Sequence, residues 1–162
     1  MRNYLALAAL GSVLFLTACD KDSAGSDLPE LTETGVHQFE LTVQGSDQID
    51  CLVTCIGTLK SGTAAALYDQ NGTSIGAVGQ SNFSASSSPK TFVWRTGKEA
   101  ADMSINMIAT TYQDKDVSLT YTLVGKYNGK VIYDVEREIT LNDESTVSQF
   151  MVYLSSYKKQ HK

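Results

Sequence analysis

Alternation of apolar and polar residues with a period of two is the feature that most constrains how this 162-residue chain can fold. Phe39, Leu41 and Val43 alternate with polar residues, and the same pattern runs from residue 117 to 123 and from residue 131 to 141. Successive side chains of a β-strand point to opposite faces, so segments of this kind are typical of half-buried strands. The chain is therefore predicted to be all-β.

Further strands are predicted from segments rich in β-branched and aromatic residues. In the segment 131–141, Val131, Tyr133, Val135, Ile139 and Leu141 are expected to share one apolar face on which Arg137 is the only charge. Segment 49–59 also fits a helical spacing, but its Val, Ile, Thr and Cys content favours a strand. The other predicted strands cover residues 64–68, 73–78, 91–96, 103–111 and 147–153.

Short connections are predicted between several of these strands. Asn128-Gly129 and Asn71-Gly72 favour type I′ turns, since both central residues of that turn need positive φ. Residues 98–102 are expected to form one helical turn. About eight strands in one domain predict an antiparallel immunoglobulin-like β-sandwich of about 7–9 strands, compatible with a buried Trp94. A small lipocalin-like barrel is the alternative fold.

The N-terminus has the pattern of a secretory signal peptide. Arg2 precedes an apolar stretch that ends in the small residues before Cys19. The sequence Leu16-Thr17-Ala18-Cys19 resembles the lipobox of bacterial lipoproteins. The resemblance implies cleavage after Ala18 and lipidation of Cys19, with the membrane as a partner through that anchor. The chain would then comprise a signal peptide (1–18), a lipidated tether (19–35), a β domain (36–157) and a basic tail (158–162).

The residues after Cys19 carry two further resemblances. Cys19-Asp20-Lys21-Asp22 is similar to the acidic sorting signals of Bacteroidetes surface lipoproteins, although those usually place two adjacent acids after the lysine. Asp22-Ser23-Ala24 resembles the short Bacteroidetes O-glycosylation motif, which would make Ser23 the acceptor. The implied location is the bacterial cell envelope at the outer membrane. Because Ser23 follows Asp22, surface exposure does not follow from the sorting signal.

Two cysteines remain after Cys19. On a continuous strand, Cys51 and Cys55 would lie about 13 Å apart at roughly 3.3 Å per residue. A disulfide needs Cα atoms within about 7 Å, so buried free thiols are favoured over a disulfide unless the strand is broken. The two histidines, His37 and His161, have no metal-ligand spacing and are expected to be solvated.

No catalytic motif is visible, so neither an enzyme nor a cofactor is predicted. The clusters 114–116 and 142–144 could hold calcium through carboxylates, but turn chemistry explains both equally well. No metal site is therefore predicted. The net charge is -5, whereas nucleic-acid-binding proteins usually have a basic surface, so nucleic acid is not expected as a partner.

The segment 79–90 is predicted to be a long loop, with Asn82 and Phe83 as candidate binding residues. Together these features indicate a lipid-anchored, non-catalytic binding or assembly module whose partner is an envelope protein or a glycan. The alternative function is a lipocalin-like carrier of a small apolar ligand.

Overall fold

The computed structural model describes residues 33–142 and 147–158. These ranges exclude the predicted signal peptide (1–18) and most of the predicted tether, with Cys19 and Ser23, as well as Asp143, Glu144 and His161.

Within the described residues the chain forms eleven strands and one short helix. Eight of the strands contain seven residues or more, and the other three contain two or three residues. The predicted strand 64–68 is divided into two short strands and the predicted strand 73–78 is reduced to residues 74–76, whereas one long strand occupies a segment that was not predicted to be a strand. Segment 49–59 is a strand, as its composition indicates. The elements are β1 (His37–Gly45), β2 (Ile49–Leu59), β3 (Ala64–Ala65), β4 (Leu67–Tyr68), β5 (Ser74–Gly76), β6 (Val78–Ser84), β7 (Lys90–Thr96), β8 (Ala100–Thr111), β9 (Val117–Tyr127), β10 (Lys130–Leu141), β11 (Val147–Tyr153) and α1 (Ser155–Lys158).

The strands form two antiparallel sheets that pack face to face. Sheet A has the order β10-β9-β1-β7-β4-β5. Sheet B has the order β11-β8-β2-β3, and β6 pairs with β2 beside β3. The predicted β-sandwich is confirmed, and the alternative of a barrel is wrong because the sheets do not close on each other.

The core lies between the sheets and follows the alternation that the sequence shows. Phe39, Leu41 and Val43 of β1 point inward from sheet A. Val53 of β2 points inward from sheet B. Apolar side chains from both sheets fill the interior, so the sandwich has a packed centre of the kind that stabilises sheet-on-sheet folds.

β6 occupies the segment that was predicted to be a loop. Its residues pair with β2 from Asp50↔Ser84 to Ile56↔Val78. Gly79, Ser81 and Phe83 point inward, and the intervening residues are exposed. The loop prediction is wrong because pairing with β2 overrides the weak strand propensity of Ser, Asn and Gly. The connection that remains covers only residues 85–89.

The two Asn-Gly turns differ. Asn128 (φ 50°) and Gly129 (φ 81°) both have positive φ, as a type I′ turn requires. At the other turn only Gly72 has positive φ, so a type I′ turn is wrong there. The Asp69 carboxylate accepts hydrogen bonds from the amides of Asn71 (2.9 Å) and Thr73 (2.8 Å) and so stabilises a different turn.

Two details of β8 and β10 also differ from prediction. The expected helical turn at 98–102 is a tight turn at 98–99, because β8 already begins at Ala100. A register shift between Val131 and Tyr133 places Ile132 in the core and leaves Val131 43% exposed. Val131 therefore does not share the face of Tyr133, because the bulge reverses the alternation.

His37 is buried, which overturns the expectation that it is solvated. It lies on the inward face of β1 with Phe39, and its ring is 5.1 Å from the ring of Tyr127. Its position in the alternation therefore decides its environment.

Hydrogen bonds fix the chain where it enters β1. The Gly35 amide donates to the Ala100 carbonyl at 2.9 Å. Val36 and Asn128 exchange two bonds, one through the Asn128 side chain (2.9 Å) and one between backbones (2.8 Å). The Tyr127 hydroxyl donates to the Thr34 carbonyl at 3.0 Å. The β9–β10 turn thereby holds the start of the domain.

Candidate functional site: a groove between two strand edges

A groove of about 440 Å³ lies along one lateral edge of the sandwich, between β6 of sheet B and β7 of sheet A. This volume falls in the range of ligand-binding clefts, roughly 300–1,000 Å³. The hairpin of β4 and β5 borders the groove with Asp69, Gln70 and Ile75. The two strand walls supply Val78, Gly79, Gln80 and Ser81 on one side and Thr91, Phe92, Val93 and Trp94 on the other.

Trp94 forms the base of the groove and is only 4% exposed. Its indole lies against the backbone of Gly79, so close that a Cβ atom there would come within 2.5 Å of Trp94 Cδ1. Glycine at position 79 therefore lets the two sheets approach at this point. Sequence reasoning identified Trp94 as a core residue, but nothing in the sequence indicated that it faces Gly79.

A row of aromatic rings continues from Trp94 along the groove. The rings of Trp94 and Phe92 are stacked, with centroids 5.7 Å apart and planes at 10°. Phe83 of β6 is 4.6 Å from Phe92. Lys90 Nζ lies 5.6 Å above the Phe83 ring and donates to the Ser84 carbonyl at 2.8 Å. The predicted binding residue Phe83 is thus part of a packed aromatic row, whereas Asn82 lies on the exposed face of β6.

The backbone edges beside the groove are uncovered by other described strands. β4 pairs with β7 only at Arg95 and Thr96, which leaves the stretch from Lys90 to Trp94 without a strand on that side. Among the described strands β6 pairs with β2 alone, so its outer side is also an edge. The amide and carbonyl groups that point outward from such edges can bind another chain.

The opposite edge of the sandwich, between β10 and β11, is closed by side chains. Tyr121 stacks on Phe150 with ring centroids 4.6 Å apart. Tyr133 contacts Tyr157 of α1 at 4.7 Å. Burial raises the pKa of both Tyr121 and Tyr133, although the Arg137 charge acts in the other direction.

Asp102 attaches α1 to the sheet at this closed edge. Its buried carboxylate accepts hydrogen bonds from the Ser155 amide (2.8 Å), the Ser155 hydroxyl (2.7 Å) and the Met103 amide (2.7 Å). Asp102 therefore holds α1 against β8, from where Tyr157 reaches Tyr133 of β10 and bridges the two sheets. No sequence pattern indicated α1 or this role of Asp102.

The outer faces of the two sheets differ in charge. On sheet A, charged residues point outward from β1, β7, β9 and β10, and Lys126 forms an ion pair with Glu40 at 3.4 Å. On sheet B, the described outward positions of β2, β6, β8 and β11 hold two charged residues, Asp50 and Asp102, and Asp102 is buried by its bonds to Ser155. The groove thus lies at the border of a nearly uncharged face.

Cys51 and Cys55 are free and buried on the inward face of β2, beside β6 in the same sheet. Burial raises the pKa of Cys51 to about 11, with Asp50 adding to the rise and Lys90 opposing it. The pKa of Cys55 is also raised, chiefly by burial. A thiol needs a lowered pKa to be a good nucleophile near neutral pH, so these cysteines have the character of core residues.

The remaining candidate sites are not brought together. No group of three or more His, Cys, Asp or Glu side chains placed to hold a metal ion occurs in residues 33–142 and 147–158. Asp114 and Asp116 lie in the β8–β9 loop, and Asn142 follows β10. Over the same ranges, no helix has the length and apolar character needed to cross a bilayer.

Fold and site together define an open, antiparallel β-sandwich with a groove at one lateral edge. Two solved structures of the DUF4425 family, a domain of unknown function, have a similar fold. The protein from Bacteroides vulgatus matches with a TM-score of 0.66 and 22% identity, covering 75% of this chain and 95% of that one. The protein from Bacteroides ovatus matches with a TM-score of 0.64 and 22% identity, covering 74% and 95%.

A third solved structure is more distant. It is the calcium-bound form of a protein from Parabacteroides distasonis, which matches with a TM-score of 0.55 and 11% identity over 83% of this chain and 98% of that one. No family model matches the sequence, and no curated protein matches it either. At these identities the three structures show the fold that this chain shares with proteins of the Bacteroides group.

Proposed function

We propose that this protein is a lipid-anchored, non-catalytic binding or assembly module of the bacterial cell envelope, and that the β6–β7 groove is where it contacts its partner. The observation that carries the proposal is the groove itself. It combines the aromatic rings of Phe92 and Trp94 with polar groups such as Asp69 and Gln80 on a rigid sheet edge. Apolar surface with a few fixed polar groups is typical of binding sites.

The proposed anchor rests on the sequence around Cys19. Leu16-Thr17-Ala18-Cys19 resembles a lipobox, and the polar stretch after it has the composition of a flexible tether. Several acyl chains contribute about 0.8 kcal/mol per buried methylene, enough together for stable membrane attachment. The location proposed on this basis is the bacterial outer membrane.

A role as an apolar carrier has less support. The interior that a lipocalin-like carrier would use for its ligand is filled by side chains such as Leu41, Val53 and Met107. A catalytic role also has less support, because Asp69 is the only acidic side chain among the described residues that line the groove. General acid–base chemistry usually needs a histidine or a pair of carboxylates.

The anchor is tested by metabolic labelling with radioactive palmitate. The full chain is expected to incorporate label and to partition into the membrane fraction, because the Cys19 thiol accepts the lipid. The Cys19→Ser variant is expected to lose both properties. Cys51→Ser is the control, since this buried thiol is outside the lipobox and should leave labelling unchanged. Equal labelling of the wild-type chain and the Cys19→Ser variant would contradict the anchor.

The binding role is tested by photo-cross-linking in the native envelope. A photoreactive amino acid replaces Thr91 in the groove or, as a control, Met151, which is 51% exposed on the outer face of sheet B. A macromolecular adduct is expected from position 91 and not from position 151, and its sensitivity to protease or glycosidase identifies its class. Retention of a small apolar molecule without any macromolecular adduct would favour the carrier instead.

A further inference from the structure

The edges of β2 in sheet B and of β7 in sheet A occupy equivalent places, but neighbouring strands cover them to different extents. In sheet B, the outer edge of β2 is covered along almost its whole length, because β3 pairs with Gly57 and Thr58 and β6 pairs with residues 50–56. In sheet A, β4 occupies the place that corresponds to β3 and covers only Arg95 and Thr96 of β7. Within the described residues, no strand corresponds to β6 beside the rest of β7.

The groove lies beside this uncovered stretch of β7. Four consecutive β7 residues, Thr91 to Trp94, line it and extend over about 13 Å at roughly 3.3 Å per residue. The Phe83–Phe92 contact marks one end of the aromatic row, and the β4–β5 hairpin borders the other end of the groove. The space therefore has the length of a short extended peptide segment.

The uncovered stretch lacks the devices that usually protect a sheet edge. Pro89 and Lys90 stand at one end of this stretch, where the Lys90 ammonium is bound to the Ser84 carbonyl. From Thr91 to Trp94 there is no charged residue and no proline, and the β1–β7 register is continuous, without a bulge. By contrast, the β10 edge carries Asp134, Glu136, Arg137 and Glu138, as well as the bulge near Val131. Edges that do not bind another chain are normally blunted by such charges and bulges.

From these observations we infer that the groove binds an extended segment of a partner polypeptide, which pairs with β7 along Thr91–Trp94 as an added strand of sheet A. This inference rests on the binding role proposed above and names the class of its partner. Outward amide and carbonyl groups recur at every second residue of β7 and match the spacing of a peptide backbone. Alternate apolar side chains of the segment would pack against Phe92, Trp94 and Ile75.

The inference is tested by NMR titration with a defined probe, the acetylated and amidated pentapeptide Thr-Val-Thr-Val-Thr. The protein is labelled with ¹⁵N, purified as its cell produces it and placed in lipid nanodiscs. The titration can then be carried out whether or not Cys19 carries lipid. We expect saturable shifts confined to amides of β7 and β6 beside the groove, with a dissociation constant on the order of 1 mM for so short a strand.

Peptides methylated on alternate backbone nitrogens separate strand pairing from side-chain binding. Methylation of the residues whose amides point towards β7 is expected to abolish the shifts, because the donors are lost. Methylation of the intervening residues should preserve them. Equal binding of both methylated peptides would overturn the proposed strand pairing.

A matched pair of variants tests the location. Ser81→Arg places a charged side chain at the groove wall and is expected to weaken binding at least tenfold. Ser148→Arg makes the same change on β11, the strand at the opposite edge of sheet B, and should leave binding unchanged. Thermal unfolding of both variants verifies that each remains folded.

Several outcomes would overturn the inference while leaving a binding module possible. The first is the absence of shifts at the groove amides at a peptide concentration of about 5 mM, several times the expected dissociation constant. The second is a shift of these amides with cellohexaose in place of the peptide. The third is a shift of the same amides when only the protein concentration is changed. The second outcome would indicate a glycan, and the third a second copy of this chain. A failure of palmitate labelling, by contrast, would count against the anchor only.

Discussion

The two lateral edges of the sandwich differ in how the gap between the sheets is covered. At the β10–β11 edge, aromatic contacts and α1 close the space between the sheets, and the buried Asp102 carboxylate holds α1 in place. At the β6–β7 edge, Gly79 lies against Trp94, and Gly79 and Ser81 of β6 line a groove of about 440 Å³ together with Phe92 and Trp94 of β7. The difference indicates that the fold can stabilise one edge fully and keep the other accessible.

The largest effect is expected from breaking the closed edge at Asp102. Asp102→Ala removes the acceptor of three hydrogen bonds from Ser155 and Met103 and leaves their buried donors unsatisfied. We expect the free energy of unfolding to fall by about 3 kcal/mol, measured by urea denaturation. Asp102→Asn retains an acceptor and should lose roughly half as much. A loss below about 1 kcal/mol for Asp102→Ala would contradict the role assigned to this carboxylate.

The second largest loss of stability is expected at the open β6–β7 edge. Gly79→Ala places a Cβ atom within 2.5 Å of Trp94 Cδ1, so the indole or β6 must shift. We expect a loss of about 2 kcal/mol in unfolding free energy, typical of overpacking. Because Trp94 is the only tryptophan, its fluorescence should shift to longer wavelength as the indole becomes more exposed. Ser81→Ala on the same strand is the control and should change stability by less than about 0.5 kcal/mol. An unshifted spectrum for Gly79→Ala would show that the contact is absent.

A smaller difference is expected between the free energies for local opening of the two edges. Cys51 and Cys55 lie on β2 directly beside Phe83 and Gly79 of β6, so their reaction with a thiol reagent reports detachment of β6 at the open edge. We expect this opening to need less free energy than global unfolding, since edge elements with few partners open first.

The matched reporter for the closed edge is Val152→Cys, a buried position on β11, in a chain that carries Cys51→Ala and Cys55→Ala. Its labelling should require an opening free energy closer to the global value. Faster labelling at position 152 than at position 51 would reverse the comparison.

The smallest effect is a pH dependence at the closed edge. Burial raises the folded-state pKa of Tyr121 and Tyr133 above the ordinary value of 10.0, so the folded state retains phenol protons that the unfolded state loses. Their contribution to stability is fully present below pH 10 and decreases as the pH rises through the folded-state pKa. Absorbance at 295 nm should show a tyrosine class that ionises late. Tyr121→Phe and Tyr133→Phe should each reduce that class.

The strands with clear alternation were predictable from the sequence, because the period of two reports burial on one face directly. β1, β9 and most of β10 belong to this group, and so does the turn at Asn128-Gly129. The sandwich followed from the number and spacing of these strands. The bulge that buries Ile132 was not predictable, since one inserted residue leaves the composition of the segment unchanged.

The candidate site was predicted only in part. The sequence placed Phe83 in the correct region but in a loop, because Ser, Asn and Gly dominate β6 and strand pairing with β2 is a long-range effect. The groove depends on the contact between Gly79 and Trp94, which are 15 positions apart in sequence and lie in different sheets. The role of Asp102 also depends on a distant partner, Ser155, which no local pattern indicates.

The hydrogen bonds that fix residues 34–36 to the β9–β10 turn and to Ala100 have a mechanical consequence. A pull on the chain from its N-terminal side reaches the domain at this point and then loads β1 along its own axis. β1 lies between β7 and β9 and pairs with both, so a force of this direction shears two ladders of hydrogen bonds at once instead of opening them one by one. The domain therefore has the geometry to resist tension applied at the N-terminal end of β1, which is where the proposed tether would pull.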